Sequence, residues 1–345
     1  MRAALLMLAV FLGACAPRLQ PPGPGPAEPE IAADHLVMDD GAVLPLRVWK
    51  PAGAPTAAIL ALHGFNDYSK AFEAPAKTLT ARGMSVYAYD QRGFGETAYH
   101  GMWAGEGRMI EDLRIAADLV RRANPDCPLY LLGESMGGAV IMAAATANPP
   151  VKADGNILAA PAVWGRDSQG PVQSGALWFA AHTVPWLTLT GEGLHIQPSD
   201  NIEMLRAMWY DPLVIKETRV DALWGLTNMM DLAAAATAET DRRSLVMYGS
   251  REDVLPDSAV VAALRRMPPA DQGGPVVAIY PRGYHMLLRD LSAEAVLDDI
   301  AAWIADPAAP LPSGGDHLAQ SVIDGEEDDL RLLDSAGATT APSTN

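Results

Sequence analysis

The sequence predicts an α/β protein, a mostly parallel sheet with helices on both faces and a helical insertion late in the chain. Three observations lead there. Apolar runs of strand length alternate with amphipathic helical stretches from residue 57 to 160 and again from 244 to 304. At one junction Gly133-Glu134-Ser135-Met136-Gly137 sits between the apolar run 129–132 and an Ala-rich helix over 139–147. Between 162 and 235 the alternation gives way to a stretch rich in Trp, Met and Leu with no strand pattern, read as a helical cap.

Composition narrows the possibilities. With 345 residues, 49% of them hydrophobic, the chain can bury the core of one large α/β domain or two small ones. A net charge of −17 argues against nucleic acid as a partner and against electrostatic attachment to anionic membranes, since both need basic patches. Part of that acidity is local, concentrated over 324–334. Two cysteines, Cys15 and Cys127, do not make a disulfide framework.

Residues 1–15 read as a signal sequence. Arg2 supplies the positive start, 3–12 an apolar run too short to span a bilayer, and Leu12-Gly13-Ala14-Cys15 resembles a bacterial lipobox with Cys15 as the lipidated residue. The plainer alternative is a secretory peptide cleaved near Ala16. The lipobox reading places the protein in the bacterial cell envelope, held to a membrane by an N-terminal lipid anchor. No aspartate follows Cys15, which favours the periplasmic face of the outer membrane. Residues 16–33, rich in Pro and Gly, read as a tether.

The α/β core is expected over 34–161 and 236–306, interrupted by the cap at 162–235. A strand from His35, a turn at Asp39-Asp40-Gly41 and a run over 43–49 predict an antiparallel hairpin. Buried strands follow over 57–62, 84–89, 129–132, 157–160, 244–248 and 276–280. Helices are expected over 70–81, stopped by Gly83, and over 109–122, with Ile110, Leu113, Ala117 and Val120 on one face. Two more are expected over 257–266 and 292–304, the last with a Ser-x-Glu start. Residues 307–345 carry Pro, Gly, Ser and acidic residues without an apolar period and read as a disordered acidic tail.

The chemistry converges on Ser135. A tight strand-to-helix turn forces its backbone into an unfavourable geometry, exposes the hydroxyl and aims the following helix's N–H groups at any anion forming beside it. The hydroxyl needs a base within hydrogen-bond reach and a third group to orient that base. His35 and His317 flank the domain, His100 lies in a loop, and His182 and His195 belong to the insertion; His285, after the last strand and a turn, is the base. For the acid, Asp253 in Gly249-Ser250-Arg251-Glu252-Asp253 is favoured. Glu252, one residue earlier, and Asp257, better placed to cap a helix, are the competitors. The backbone N–H groups of Met136 and Phe65 are expected to form the oxyanion hole. His63 is expected to brace that loop, and Asp90 and Arg92 to form a charge pair ordering a turn. Gly93-Phe94-Gly95 lacks the last glycine of a dinucleotide fingerprint, no group of residues has metal-ligand spacing, and Cys127 reads as a buried thiol. No cofactor or metal is expected.

Gly-Glu-Ser-Met-Gly-Gly at 133–138, the His63-Gly64 loop, Asp90-Gln91-Arg92-Gly93-Phe94-Gly95, Gly249-Ser250 with Asp253, and Tyr284-His285 together resemble the α/β-hydrolase superfamily. The resemblance is to its monoacylglycerol lipase and lysophospholipase branch, also grouped as serine aminopeptidase S33-like hydrolases, and covers 34–306. It implies an eight-stranded sheet with a helical cap, in which Asp211-Pro212-Leu213 is similar to a recurring element. It also implies Ser135 as nucleophile, Asp253 as acid and His285 as base. Phe65-Asn66-Asp67 departs from the Glu-His or second glycine often found in that loop. The implied activity is hydrolysis of lipid-like acyl esters, such as monoacylglycerols or lysophospholipids, through an acyl-enzyme. The alternatives are an aminopeptidase using a cap carboxylate (Glu192, Glu203 or Glu217), an acyltransferase, or a non-catalytic binding lipoprotein of the envelope. Oligomeric state is not legible in the sequence.

Overall fold

The computed structural model describes residues 16–336; the expected signal sequence with Cys15 and the last nine residues of the tail, 337–345, lie outside them. The strands are β1 (Glu30–Ile31), β2 (His35–Val37), β3 (Val43–Trp49), β4 (Ala57–Leu62), β5 (Met84–Tyr89), β6 (Leu129–Glu134) and β7 (Gly155–Ala159) in the first half. Then come β8 (Thr188–Thr190), β9 (Glu217–Arg219), β10 (Ser244–Gly249) and β11 (Val276–Tyr280). A nine-stranded sheet runs β1-β2-β3-β5-β4-β6-β7-β10-β11. It contains the eight strands expected plus the two-residue β1. The hairpin end is antiparallel, and everything from β5 to β11 across the sheet is parallel.

The helices are α1 (Glu73–Ala81), α2 (Glu106–Ala123), α3 (Met136–Ala145), α4 (Pro171–Thr183), α5 (Ile202–Tyr210) and α6 (Val220–Ala236). After them come α7 (Asp257–Arg266), α8 (Ala293–Ala305), α9 (Gly315–Ile323) and the short α10 (Leu333–Ala336). Helices cover both faces of the sheet, so the parallel strands are buried almost throughout, Asn156 and Val276 being only partly buried, and read as largely apolar runs. In β4, Ala58, Leu60 and Leu62 join the core under α2, α3 and α7, while Ala57, Ile59 and Ala61 join the core under α1 and α8. The parallel strands end together at the edge where the site lies.

Four expectations need correction. The Pro/Gly-rich 16–33 segment is fastened to the domain: Gln20 N–H donates to Trp103 O at 2.8 Å, Gly25 N–H to Asp40 O at 2.9 Å, and its end is β1. It is held mainly through its backbone, helped by the Gln20 side chain on Met102 O and by Ile31 packed against the core. The tail is also ordered as far as residue 336. Leu311, Ala319, Val322, Leu330 and Leu333 are buried, and α9 packs against α7 and β11. Short i,i+3 apolar pairs among acidic neighbours suffice for one narrow stripe, a pattern too sparse to register as a period. The cap is not wholly helical, since β8 and β9 pair antiparallel between its helices. Finally, Arg92 pairs with Asp40 and Asp112 rather than with Asp90, whose carboxylate accepts the N–H groups of Ser69 and Glu96 at 2.9 Å each.

Candidate active site

β6 ends at Glu134 and α3 starts at Met136, leaving Ser135 alone to reverse the chain at φ 53° and ψ −114°. A non-glycine residue held there costs on the order of 1–3 kcal/mol and must be fixed by its surroundings. Here Ser135 N–H donates to Ala159 O at 2.9 Å, and Ser135 O accepts from Ala139 and Ala162 at 3.0 Å each. The two glycines are steric requirements. A Cβ on Gly137 would lie 2.1 Å from Leu62 O, and one on Gly133 would lie 2.4 Å from the Gly137 carbonyl carbon.

His285 follows β11 and lines the same cavity as Ser135. Its Nδ1 lies 2.7 Å from Oε2 of Glu252, not from Asp253. Glu252 is buried, and its other oxygen accepts the N–H groups of Val254 at 2.7 Å and Leu255 at 3.0 Å. Asp253 turns the other way, accepting Gln197 N–H at 2.7 Å and facing Arg331 at 3.4 Å. The acid assignment therefore moves by one residue. The longer glutamate side chain reaches back to the imidazole from the position before, which spacing along the chain does not reveal. Asp257 does not cap α7; Pro256 holds the cap position and Asp257 is the first helical residue.

Burial alone would depress the His285 imidazole; the charge and hydrogen bond of Glu252, with Glu134 behind them, outweigh it and hold it above the ordinary histidine range. A carboxylate on Nδ1 fixes the tautomer in which Nδ1 carries the proton and Nε2 is free to accept one.

Of the two expected oxyanion donors, Phe65 lines the cavity with Ser135, and Met136 directly follows Ser135. Met136 opens α3, Phe65 follows Gly64, and neither backbone N–H has an acceptor among the described residues. A Cβ on Gly64 would stand 3.4 Å from Ser135 Cβ, so this loop runs against Ser135. His63 braces it as expected: Nδ1 meets Gly64 O at 2.8 Å, while Nε2 accepts Gln91 N–H at 3.0 Å. Complete burial pushes its pKa down and keeps it neutral, matching those two contacts.

One group escaped the sequence reading. Arg289, buried four residues after His285, pairs with Asp67 of the oxyanion loop and Glu134 of the serine turn at 2.8 Å each. One guanidinium thus joins three loops. The signal was present: a buried glutamate closing an otherwise apolar strand must find a cation, and Arg289 stands four residues after His285.

Ser135 and His285 open into a cavity of about 750 Å³, within the size range of small-molecule sites. Trp164, Leu177, Leu223, Leu226 and Met230 of the cap region make most of its wall apolar. The cap is latched to the loops of the site. Ile215 N–H donates to Asn66 O at 2.9 Å, Asn66 Nδ2 to Thr218 Oγ1 at 2.7 Å, and Met286 N–H to Pro198 O at 2.9 Å. Asp211, singled out by resemblance, accepts the Tyr68 hydroxyl at 2.8 Å and Lys70 at 3.0 Å.

Residues 53–292 match the serine aminopeptidase, S33 family, Hydrolase_4. The chain belongs to this family. Among its relatives, the monoacylglycerol lipase of Mycolicibacterium smegmatis is 27% identical over 266 residues, covering 74% of this chain and 91% of that one. The human monoglyceride lipase is 28% identical over 286 residues, covering 80% and 91%. Among solved structures, a soluble variant of the monoglyceride lipase of Saccharomyces cerevisiae, in complex with a substrate analogue, superposes with a TM-score of 0.65 at 19% identity. That superposition spans 83% of this chain and 100% of the other and supports the α/β-hydrolase fold. The family match stops at 292, so α8, α9 and the segment carrying Leu330 and Leu333 follow it.

Proposed function

We propose that this protein is a carboxylic ester hydrolase that cleaves monoacylglycerols and related lipid-like esters through an acyl-enzyme on Ser135. The observation that carries this reading is the Glu252–His285 hydrogen bond, with His285 and a strained Ser135 lining one apolar cavity. Ser135 Oγ attacks the acyl carbonyl and passes its proton to His285 Nε2. The carbonyl oxygen gains negative charge within reach of the Phe65 and Met136 N–H groups, each such donor worth about 3 kcal/mol in the transition state. His285 returns the proton to the departing alcohol oxygen as the C–O bond breaks. Water, deprotonated by the same histidine, then releases the fatty acid and restores Ser135.

The relatives' names support an acyl-ester substrate, and the wall of Trp, Leu and Met suits an acyl chain. An aminopeptidase would need a carboxylate in the cavity for the substrate amine. Glu192, Glu203 and Glu217 are exposed and do not line it, and the acids that do, Asp67 and Glu134, are both paired with Arg289. We also propose lipid attachment at Cys15, placing the enzyme in the cell envelope; incorporation of labelled fatty acid by wild type and not by Cys15→Ala is the expected result.

The deciding experiment compares wild type and Ser135→Ala on a monoacylglycerol, a lysophospholipid and an aminoacyl arylamide, with fluorophosphonate labelling alongside. Labelling confined to wild type, and residual turnover of Ser135→Ala below about one-thousandth, are expected. Faster cleavage of the arylamide than of either lipid would overturn the ester assignment.

A further inference from the structure

The C-terminal segment beyond the family match returns to the active site. We infer that Asp334 is a positioning residue that ties the loop carrying Glu252 to the loop carrying His285. The inference rests on the Ser135–His285–Glu252 reading above. Its Oδ1 accepts the Ser250 hydroxyl and the Arg282 N–H, the latter at 2.7 Å, and its Oδ2 accepts Arg251 Nε at 2.7 Å. Ser250 and Arg251 immediately precede Glu252; Arg282 lies three residues before His285. A single carboxylate thus bridges both loops.

The bridge completes a close backbone seam. Ser250 N–H donates to Tyr280 O and Arg251 N–H to Gly283 O, each at 2.9 Å. The approach is so tight that a Cβ on Gly249 would stand 2.1 Å from Gly283 O. Ser250 is fully buried, and Arg282 adopts φ 61°, a conformation unfavourable to its side chain that aims its N–H at both Ser250 Oγ and Asp334. On the far side of Glu252, Arg331 of the same C-terminal segment reaches Asp253 at 3.4 Å. The residues before and after Glu252 are therefore both held from the C-terminal end. Leu330 and Leu333, buried on either side of Arg331, anchor that segment in the core. The Glu252–His285 contact spans the two loops that Asp334 joins, and it works only at hydrogen-bond distance. Loosening the seam lengthens that contact, and a displacement of about 1 Å in a catalytic constellation can lower turnover about a hundredfold.

The test uses the full chain with Asp334→Ala, Asp334→Asn and, as a control on the same segment, Asp328→Ala, which removes the ion pair to Arg265. Asp328 touches neither loop. Expected for both Asp334 variants is a fall in kcat of about tenfold or more with KM little changed, and an acid limb of the kcat/KM profile moved to lower pH. The limb moves down because an imidazole less supported by Glu252 loses its proton more readily. Asp328→Ala should keep the wild-type kcat and profile. Asp334→Asn preserves shape, so it reports even where Asp334→Ala folds poorly. The inference is overturned if both Asp334 variants keep wild-type kcat, or lose activity only in proportion to the unfolded fraction with an unmoved pH limb. Ser135→Ala, inactive in the same assay, separates failure of this inference from failure of the underlying site assignment.

Discussion

Replacing Glu252 with Gln tests the corrected acid more sharply than any deletion, because the structure dictates which way the new amide turns. One oxygen of Glu252 serves two backbone N–H groups at 2.7 and 3.0 Å; the other serves His285. If the Gln NH₂ faced the Val254 and Leu255 N–H groups, donors would oppose donors, at a cost of about 1–3 kcal/mol for each buried group left unpaired. The amide oxygen therefore stays on the backbone and the NH₂ turns to Nδ1. A donor at Nδ1 forces the imidazole proton onto Nε2, where it can no longer accept from Ser135. Inverting the tautomer of a triad histidine in this way lowers kcat about 10⁴-fold, which corresponds to about 5 kcal/mol in the barrier. Asp253→Asn keeps an acceptor for Gln197 N–H and should stay within about threefold of wild-type kcat, as expected of a change outside the reacting groups. Steady-state hydrolysis of a short p-nitrophenyl ester, with thermal melting to confirm folding, measures both. A Glu252→Gln enzyme that keeps more than a tenth of wild-type kcat, or an Asp253→Asn enzyme that falls as far as Glu252→Gln, would refute Glu252 as the acid.

Three further outcomes follow from the same geometry. In the proposed mechanism neutral His285 is the base, and Glu252 raises its pKa, so wild-type kcat/KM should climb with pH through a midpoint above 6.5, with Glu252→Gln moving the residual limb downward. Arg289→Met strands Asp67 and Glu134 as buried carboxylates and should cost about 3–5 kcal/mol of stability by denaturant titration. Adding Glu134→Gln to Arg289→Met should recover part of that loss, since the two sites share one network. Burial pushes the Asp290 carboxyl from 3.8 up to about 6, despite hydrogen bonds from Ser199 and Tyr284 that favour its charge. A folded-state pKa raised in this way means stability declines as pH rises from about 4 to 6, by roughly 3 kcal/mol in total. Asp290→Asn should flatten the melting temperature over that interval.

The fold was legible because the parallel strands share one physical requirement, near-complete burial, and a parallel sheet covered on both faces writes that as a largely apolar run. The runs at 57–62, 84–89 and 276–280 match the observed strands residue for residue. Ser135 and His285 were legible for a related reason: a turn one residue wide needs glycines around it, and few histidines follow a strand end. What escaped depended on side-chain reach or on sparse contacts. Choosing Glu252 over Asp253 requires knowing which carboxylate arrives at Nδ1, and adjacent residues differ there only by direction. The tail was unreadable because a few buried side chains, Leu330 and Leu333 among them, hold a segment whose composition is otherwise that of a disordered chain.

Asp253 has a task of its own, and it explains how the cap is governed. Its carboxylate holds Gln197 N–H, one residue before Pro198, whose carbonyl accepts from Met286 beside the base. Asn66, beside Phe65, holds Ile215 and Thr218 of the cap. Three of the latches on the cap are thus neighbours in sequence of residues assigned to the proposed chemistry: Asp253 of Glu252, Met286 of His285, Asn66 of Phe65. The loops are double-sided, with one residue facing the reacting atoms and the next facing the lid above them. Loss of a latch should therefore be felt first in how a long acyl chain is bound, and only weakly in the turnover of a short ester that does not fill the cavity. Asp253→Ala should raise KM for a long-chain monoacylglycerol more than for p-nitrophenyl acetate. Equal effects on both esters would mean that this carboxylate supports the reacting groups rather than the cap.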